Sequence, residues 1–92
     1  MALTQGGYLS YDIDRSVVLF TMLDGVVEVP CAISTSAMDD LDGSKSTRAA
    51  QREEQFIRLR VRIEARAIRK FADGELEGRP PGIILRSIDF RA

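Results

Sequence analysis

The first third of the chain shows the pattern of β-strands, with alternating apolar and polar residues in some segments and short apolar runs in others. Three segments carry it: YLSYDI at 8–13, VVLFTML at 17–23 and VVEVPCAI at 26–33. The last two are rich in β-branched residues, which fit a pleated surface. The pattern predicts three antiparallel strands joined as a meander.

The second and third strands are separated by Asp24-Gly25, a strong hairpin signal because both residues of a type I′ turn need positive φ. A two-residue turn at this point pairs Met22 with Val27. The face of the hairpin predicted to lie in the core consists of Val18, Phe20, Met22, Val27, Val29, Cys31 and Ile33. The opposite face is half apolar, so we expect part of it to seek a partner.

Two helices are predicted after the hairpin. Ser34, Thr35 or Ser36 can cap a short helix over 37–41, and Gly43 ends it. The periodicity then changes to that of a long helix, with two serines as candidate caps, Ala72 as its last residue and a glycine as its left-handed terminator. The two candidate caps are Ser44 and Ser46, and the terminator is Gly74.

The long helix is amphipathic in an unusual way. On a helical wheel its apolar residues fill an arc of about 240°, wider than one sheet can cover. An unbroken helix over 46–72 would be about 40 Å long, whereas a domain of this size is about 30–35 Å across. We therefore expect it to overhang its own domain. The polar sector holds the cations Arg48, Arg52, Arg58, Arg62, Arg66, Arg69 and Lys70.

A stiff connector, EGRPPG at 77–82, leads to a predicted last strand, GIILRSIDF at 82–90. The expected fold class is α+β. It consists of an antiparallel sheet, formed by the three-strand meander and the C-terminal strand, packed against one short and one long amphipathic helix. At 92 residues we expect a single domain, 1–92.

Charge is segregated along the chain although the net charge is only −1. Residues 1–43 carry a net charge of −6 and residues 44–73 a net charge of +5. The arginine row of the long helix, namely Arg58, Arg62, Arg66 and Arg69, is thus a candidate surface for anions or nucleic acid. The alternative is an ordinary solvated face. The low pI, near 5.4, and the lack of an aromatic residue in the row argue against nucleic acid.

Candidate chemistry is sparse. The chain has no histidine and one cysteine, which excludes nucleophile–histidine pairs, zinc sites built on imidazole and an internal disulfide. We expect no cofactor and no metal site. Arg60 and Glu64 interrupt the apolar arc at i,i+4 spacing, as a buried or interface ion pair or, alternatively, as an anion clamp with a catalytic carboxylate.

No signal peptide and no apolar run of about 18 residues is present, so the sequence predicts a cytoplasmic protein outside the membrane. Cys31 lies on the predicted core face, where cysteine is usually a small buried apolar residue. Ser34 is interpreted as a helix cap rather than a nucleophile.

The hairpin VVLFTMLDGVVEVPCAIS, followed by Phe56, Arg60, Ile63-Glu64 and Ala67, resembles domain-of-unknown-function family 1488, a group of short bacterial proteins. The resemblance covers roughly residues 9–74. It implies a compact α+β domain and cytoplasmic residence, but no activity. Its motif positions here are Cys31, Ser34, Phe56, Arg60 and Glu64.

The uncovered apolar surface favours a non-enzymatic homo-oligomeric interaction or regulatory module, most simply a homodimer, with any further protein partner unidentified. The alternative function is nucleic-acid or anionic-ligand binding through the arginine row. A third reading is an enzyme that uses Glu64 and Arg60.

Overall fold

The computed structural model of the chain describes residues 3–43, 47–79 and 81–91. Its elements, in chain order, are β1 Leu3–Asp12, β2 Val17–Asp24, β3 Val27–Ser34, α1 Thr35–Asp42, a 3₁₀ turn Ala49–Gln51, α2 Arg52–Ala72, β4 Ile83–Leu85 and a second 3₁₀ turn Ser87–Phe90. The predicted α+β class is confirmed.

The four strands form one sheet in the order β1-β2-β3-β4. The antiparallel meander is confirmed, whereas β4 runs parallel to β3, so the sheet is mixed. The predicted last strand over 82–90 is too long, because only Ile83–Leu85 pairs. Beyond it, the Asp89 carboxylate accepts the Arg86 N–H at 2.7 Å, which turns the chain away from the sheet.

The β2–β3 hairpin differs from the prediction by two residues. Met22 pairs with Val29 rather than Val27, and the turn residues are Gly25 and Val26. Of these two, Gly25 alone has positive φ, at 66°, the arrangement of a type II′ turn with glycine first. A shift of two keeps every side chain on its predicted face. Val27 is the exception to the predicted core, since it lies at the end of β3 and is 61% exposed.

A glycine pair bends β1. The register with β2 shifts on either side of Tyr8, and the Gly7 N–H donates to the Thr21 hydroxyl at 3.1 Å. At Gly6 an added Cβ would lie 2.3 Å from the Thr21 carbonyl oxygen. Because the strand is irregular here, Tyr8 and Tyr11 both pack against the core although they are three residues apart.

The residues that cap α1 are as predicted, although the helix spans Thr35–Asp42 rather than 37–41. The Ser34 hydroxyl accepts the Ala37 N–H at 3.1 Å, and Gly43 closes the helix with φ of 69°. These contacts fix where the chain leaves β3 and where it turns back toward α2.

Helix α2 begins later than predicted, at Arg52, and ends at Ala72 as expected. Its candidate caps, Ser44 and Ser46, lie outside the described residues, and Gly74 adopts φ of 72° just after its end. Its 21 residues span about 32 Å, less than the 37 Å long axis of the molecule. The expected overhang is therefore wrong.

The core lies between α2 and one face of the sheet. The centre of the Phe56 ring lies 5.0 Å from that of Phe20 and 5.8 Å from that of Tyr8, and the rings of both pairs are tilted relative to each other. Of the wide apolar arc, the fully buried or nearly buried members are Phe56, Leu59, Ile63 and Ala67. The exposed stripe of α2, defined as Ile57, Val61 and Ile68, is 48%, 83% and 40% exposed. One sheet face covers only part of the arc, as its width predicted.

Replacing Gly6 by alanine should destabilise the fold by about 1–3 kcal/mol, since the new methyl group must displace backbone atoms of β2. Urea unfolding measures the effect. Gly7→Ala is the matched control, because no atom lies within 4 Å of the position of its added Cβ. Equal losses in the two variants would contradict the close approach of β1 and β2 at Gly6.

Candidate functional site

The arginine row of α2 turns toward its own chain rather than wholly toward solvent. Arg58 forms an ion pair with Asp42 on α1, and Arg62 donates to the Leu41 carbonyl oxygen at 3.2 Å. Arg66 donates through Nε to the Asp89 carbonyl oxygen. The guanidinium of Arg69 makes no hydrogen bond or ion pair with the residues that the structure describes. The positive charges of the arginine row are therefore balanced by partners within the chain at some positions and not at others.

A buried polar cluster joins α1 to the start of α2. Arg52 donates to Asp39 Oδ1 at 2.7 Å and to Gln55 at 2.7 Å, and Gln55 also donates to Asp39 at 3.0 Å. Both Arg52 and Gln55 are buried, although the helical wheel placed them on the polar sector. Burial alone would raise the pKa of Asp39, but hydrogen bonds from Arg52 and Gln55 and the charge of Arg52 lower it below its usual value.

Arg60 and Glu64 form an ion pair at 2.8 Å, with side chains 22% and 12% exposed. Arg60 also donates to the Gly6 carbonyl oxygen at 3.0 Å, and its guanidinium lies 5.7 Å from the centre of the Phe56 ring. The second oxygen of Glu64 accepts from Gln5 at 3.1 Å. Both carboxylate oxygens are thus engaged, and the pair ties α2 to the irregular part of β1.

The other motif positions are part of the framework. Cys31 is buried, and burial raises the pKa of its thiol to about 12, so the thiol is neutral at physiological pH. The Ser34 hydroxyl is occupied as the cap of α1. Phe56 is fully enclosed between aromatic rings. Neither the Cys31 thiol nor the Ser34 hydroxyl is arranged as a nucleophile.

Sequence reasoning missed a cluster at the C-terminal end. Lys70 is 6% exposed and donates to the Ile84 carbonyl oxygen at 2.9 Å, with its Nζ 3.1 Å from Asp89 Oδ1. Burial acts to raise the pKa of Asp89, but the Arg86 N–H and the Lys70 ammonium lower it overall. The prediction of a continuous strand over 82–90 concealed the turn that brings Asp89 under α2.

The side of the sheet opposite α2 carries no helix of the described chain. This open sheet face is formed by Val17, Leu19, Leu23, Pro30, Ala32 and Ile84, whose side chains alternate with those of the core. Two grooves of about 560 and 250 Å³ lie on it, and Arg15 and Ile84 line both. The larger groove has three ionisable lining residues, all arginine: Arg15, Arg86 and Arg91.

Neither a metal-binding cluster nor a membrane-spanning helix is present in the described ranges. Within them, no three cysteine or acidic side chains are grouped so that they could hold a metal ion. No described helix has the length and apolar character needed to cross a membrane.

The energetic role of the Arg60–Glu64 pair can be measured with a double-mutant cycle. Arg60→Met and Glu64→Gln should each cost about 1–2 kcal/mol, because each leaves a partly buried polar partner unsatisfied. Their losses should couple by at least about 0.5 kcal/mol in urea unfolding. Arg48→Met, which removes an exposed cation, is the control and should change stability by no more than about 0.5 kcal/mol. Additive losses would show that the two side chains act separately.

Stability should fall in acid. The folded-state pKa values of Asp39 and Asp89 lie below their ordinary value of 3.8. The stability that they contribute is therefore fully present above that value and is lost as the pH falls through the lower folded-state values. Urea unfolding between neutral pH and acid should show this decline, and Asp39→Asn should flatten it. An unchanged slope in that variant would contradict the assigned role of Asp39.

The fold has a known structural relative, and the sequence matches a known family. A solved structure of a protein of unknown function from the DUF1488 family of Shewanella loihica PV-4 is similar, with a TM-score of 0.75 and 19% identity over 90% of this chain and 94% of that chain. No curated protein matches. The family profile "Protein of unknown function (DUF1488)" matches residues 6–84, which extends the resemblance through the connector into β4. The chain therefore belongs to the DUF1488 family.

Proposed function

We propose that the protein is a non-enzymatic interaction module that works as a homodimer joined through its open sheet faces. The observation that carries the proposal is an apolar sheet face with no covering helix of its own and with different charge at its two ends. Arg15 and Arg86 line the groove at the end where Val17 pairs with Ser34. Arg86 forms a bidentate ion pair with Glu77 at 2.8 and 3.1 Å, so Arg15, whose side chain is 81% exposed, is the cation offered to a partner at this end. Glu28 lies at the other end, where it pairs with Leu23.

This arrangement suits a second copy of the chain. A two-fold dimer presents the same patch twice, and two sheets stacked face to face pack about 10 Å apart. If the strands of the two copies run in opposite directions, Glu28 of one copy lies over the arginine end of the other. At each end of the interface, a negative charge of one copy then faces a positive charge of the other. Leu19 and Ala32 meet the corresponding residues of the second copy near the middle.

The exposed stripe of α2 suits self-association less well. In a two-fold antiparallel helix pair, the same flank of each helix faces its copy. Arg58 and Arg69 flank the stripe on one side. The charge of Arg58 is balanced by Asp42 and Glu54, but Arg69 has no ion-pair partner among the described residues, so this geometry would place an uncompensated cation of each copy in the interface, which is unfavourable.

The polar groups of the fold support a non-enzymatic role. Both oxygens of Glu64 are held by Arg60 and Gln5, and the Cys31 thiol is neutral and buried. In this proposal the module acts in the bacterial cytoplasm as an accessory or regulatory partner, where a reducing environment suits a buried free thiol.

The purified protein should be a dimer by size-exclusion chromatography with light scattering, and Leu19→Lys should convert it to a monomer by placing a charge in the interface. Val61→Lys is the matched control, since Val61 is an exposed apolar residue on the opposite side of the molecule. Circular dichroism checks that each variant is folded. A monomeric wild type, or a dimer broken by Val61→Lys and not by Leu19→Lys, would refute the proposal.

Charge exchange tests the direction of the strands. Glu28→Arg should weaken the dimer by placing two cations together, and adding Arg15→Glu to the same chain should restore it. If the double variant is no tighter than Glu28→Arg alone, Glu28 and Arg15 do not meet across the interface.

A further inference from the structure

A third groove lies between the C-terminal half of α2 and the segment after β4. It has a volume of about 450 Å³ and is lined by Arg62, Arg66, Arg69, Arg91, Asp89 and Phe90. We refer to it as the arginine groove. Arg91 and Phe90 enter it because the chain leaves the sheet after Leu85, which the sequence did not predict.

Positive charge in the arginine groove exceeds what its own carboxylate can balance. Asp89 is the acidic residue in the lining, and it already accepts from the Lys70 ammonium at 3.2 Å and the Arg86 N–H at 2.7 Å. Among the described residues, no carboxylate lies within 4.0 Å of the guanidinium nitrogens of Arg62, Arg69 or Arg91. Three cations of the lining therefore lack an ion-pair partner in the described chain.

Part of the groove is held in place before any ligand binds. Arg66 is fixed by its hydrogen bond to the Asp89 carbonyl oxygen, and Arg62 by its bond to the Leu41 carbonyl oxygen at 3.2 Å. Phe90 packs against the core. A site whose walls are already ordered loses less conformational entropy on binding than a flexible one does.

We propose that the arginine groove binds a nucleotide unit, with its phosphate on the guanidinium groups of Arg62 and Arg69 and its base against Phe90. Planar guanidinium groups match phosphate oxygens with paired hydrogen bonds. An aromatic ring beside them offers a stacking surface for a base. The groove volume is within the roughly 300–1,000 Å³ range of ligand sites. The same chemistry can come from a free nucleotide or from a single-stranded nucleic acid.

The low net charge of the chain is compatible with this site because the acidic residues are concentrated elsewhere. Residues 1–43, which carry the net charge of −6, contribute a backbone carbonyl through Leu41 to Arg62, while their carboxylates at Asp39 and Asp42 pair with Arg52 and Arg58. The arginine groove shares Arg91 with the larger groove of the open sheet face, but Arg62, Arg69 and Phe90, which carry the proposal, do not line either groove of that face.

The test is a titration of the full chain with thymidine monophosphate and, separately, with a labelled oligothymidylate, at about 50 to 200 mM salt. Arg69→Glu should weaken binding at least about tenfold and lower the salt dependence by about one phosphate contact. Arg48→Glu, an equal charge change at an exposed position outside the groove, should change affinity less than about twofold. Equal losses in the two variants, or no binding by the wild type, would overturn the proposal.

Further arms separate the ligand sources and test the ring contact. Binding of both probes would identify the nucleotide as sufficient, whereas binding of the oligonucleotide alone would identify the strand; either result supports the groove. Phe90→Leu should weaken nucleotide binding about fivefold or more and leave competition by inorganic phosphate unchanged. Polyglutamate competing as well as the oligonucleotide, or nucleotide affinity unchanged in Phe90→Leu, would overturn the nucleotide assignment. Light scattering on the same samples reports the dimer separately.

Discussion

Cations of α2 bind backbone carbonyl oxygens on both edge strands of the sheet. Arg60 donates to Gly6 on β1 and Lys70 donates to Ile84 on β4, ten residues further along the helix. Because β1 and β4 are the two outer strands, one helix holds the whole width of the sheet. A cationic side chain at an edge strand also discourages unwanted pairing with another chain. The position of α2 therefore determines which sheet face is covered and which stays open.

Helix α2 buries an apolar face, as an amphipathic helix usually does, but it buries two of its cations as well. Arg52 and Lys70 are buried, so each needs an acidic or carbonyl partner to offset the cost of leaving water. Asp39 supplies the partner for Arg52, and Asp89 and Ile84 supply it for Lys70. Because one sheet face covers only part of the apolar arc, Ile57, Val61 and Ile68 remain on the side of α2 that faces solvent. Uncovered apolar surface is consequently part of this fold on both sides.

Local sequence patterns were sufficient to predict those structural features that depend on neighbouring residues alone. Alternation in the β2–β3 hairpin, the Ser34 cap and the Gly43 stop each depend on neighbouring residues, and each of these predictions is confirmed. Alternation in β1 is interrupted where the register with β2 shifts around Tyr8. The turn was harder, because Gly25 serves a type I′ turn as its second residue and a type II′ turn as its first. A three-residue apolar strand does not indicate whether it pairs parallel or antiparallel to its neighbour, so the parallel pairing of β4 with β3 could not be predicted from the sequence. The inward use of Arg52 depends on α1, and its one signal was the opposite net charge of the two segments.

The same charge distribution explains where the chain can still receive a ligand. Along α2, Arg52 pairs with Asp39 and Arg58 with Asp42, the last residue of α1. Arg62, one turn further, reaches a carbonyl oxygen of α1 instead of a carboxylate. Arg69 lies beyond the reach of α1, and Asp89, the acid of that end, is occupied by Lys70. The supply of internal carboxylates thus runs out toward the end of α2. An anion from outside would meet its least compensated cations there, for the same physical reason that the earlier arginines, Arg52 and Arg58, are paired with carboxylates.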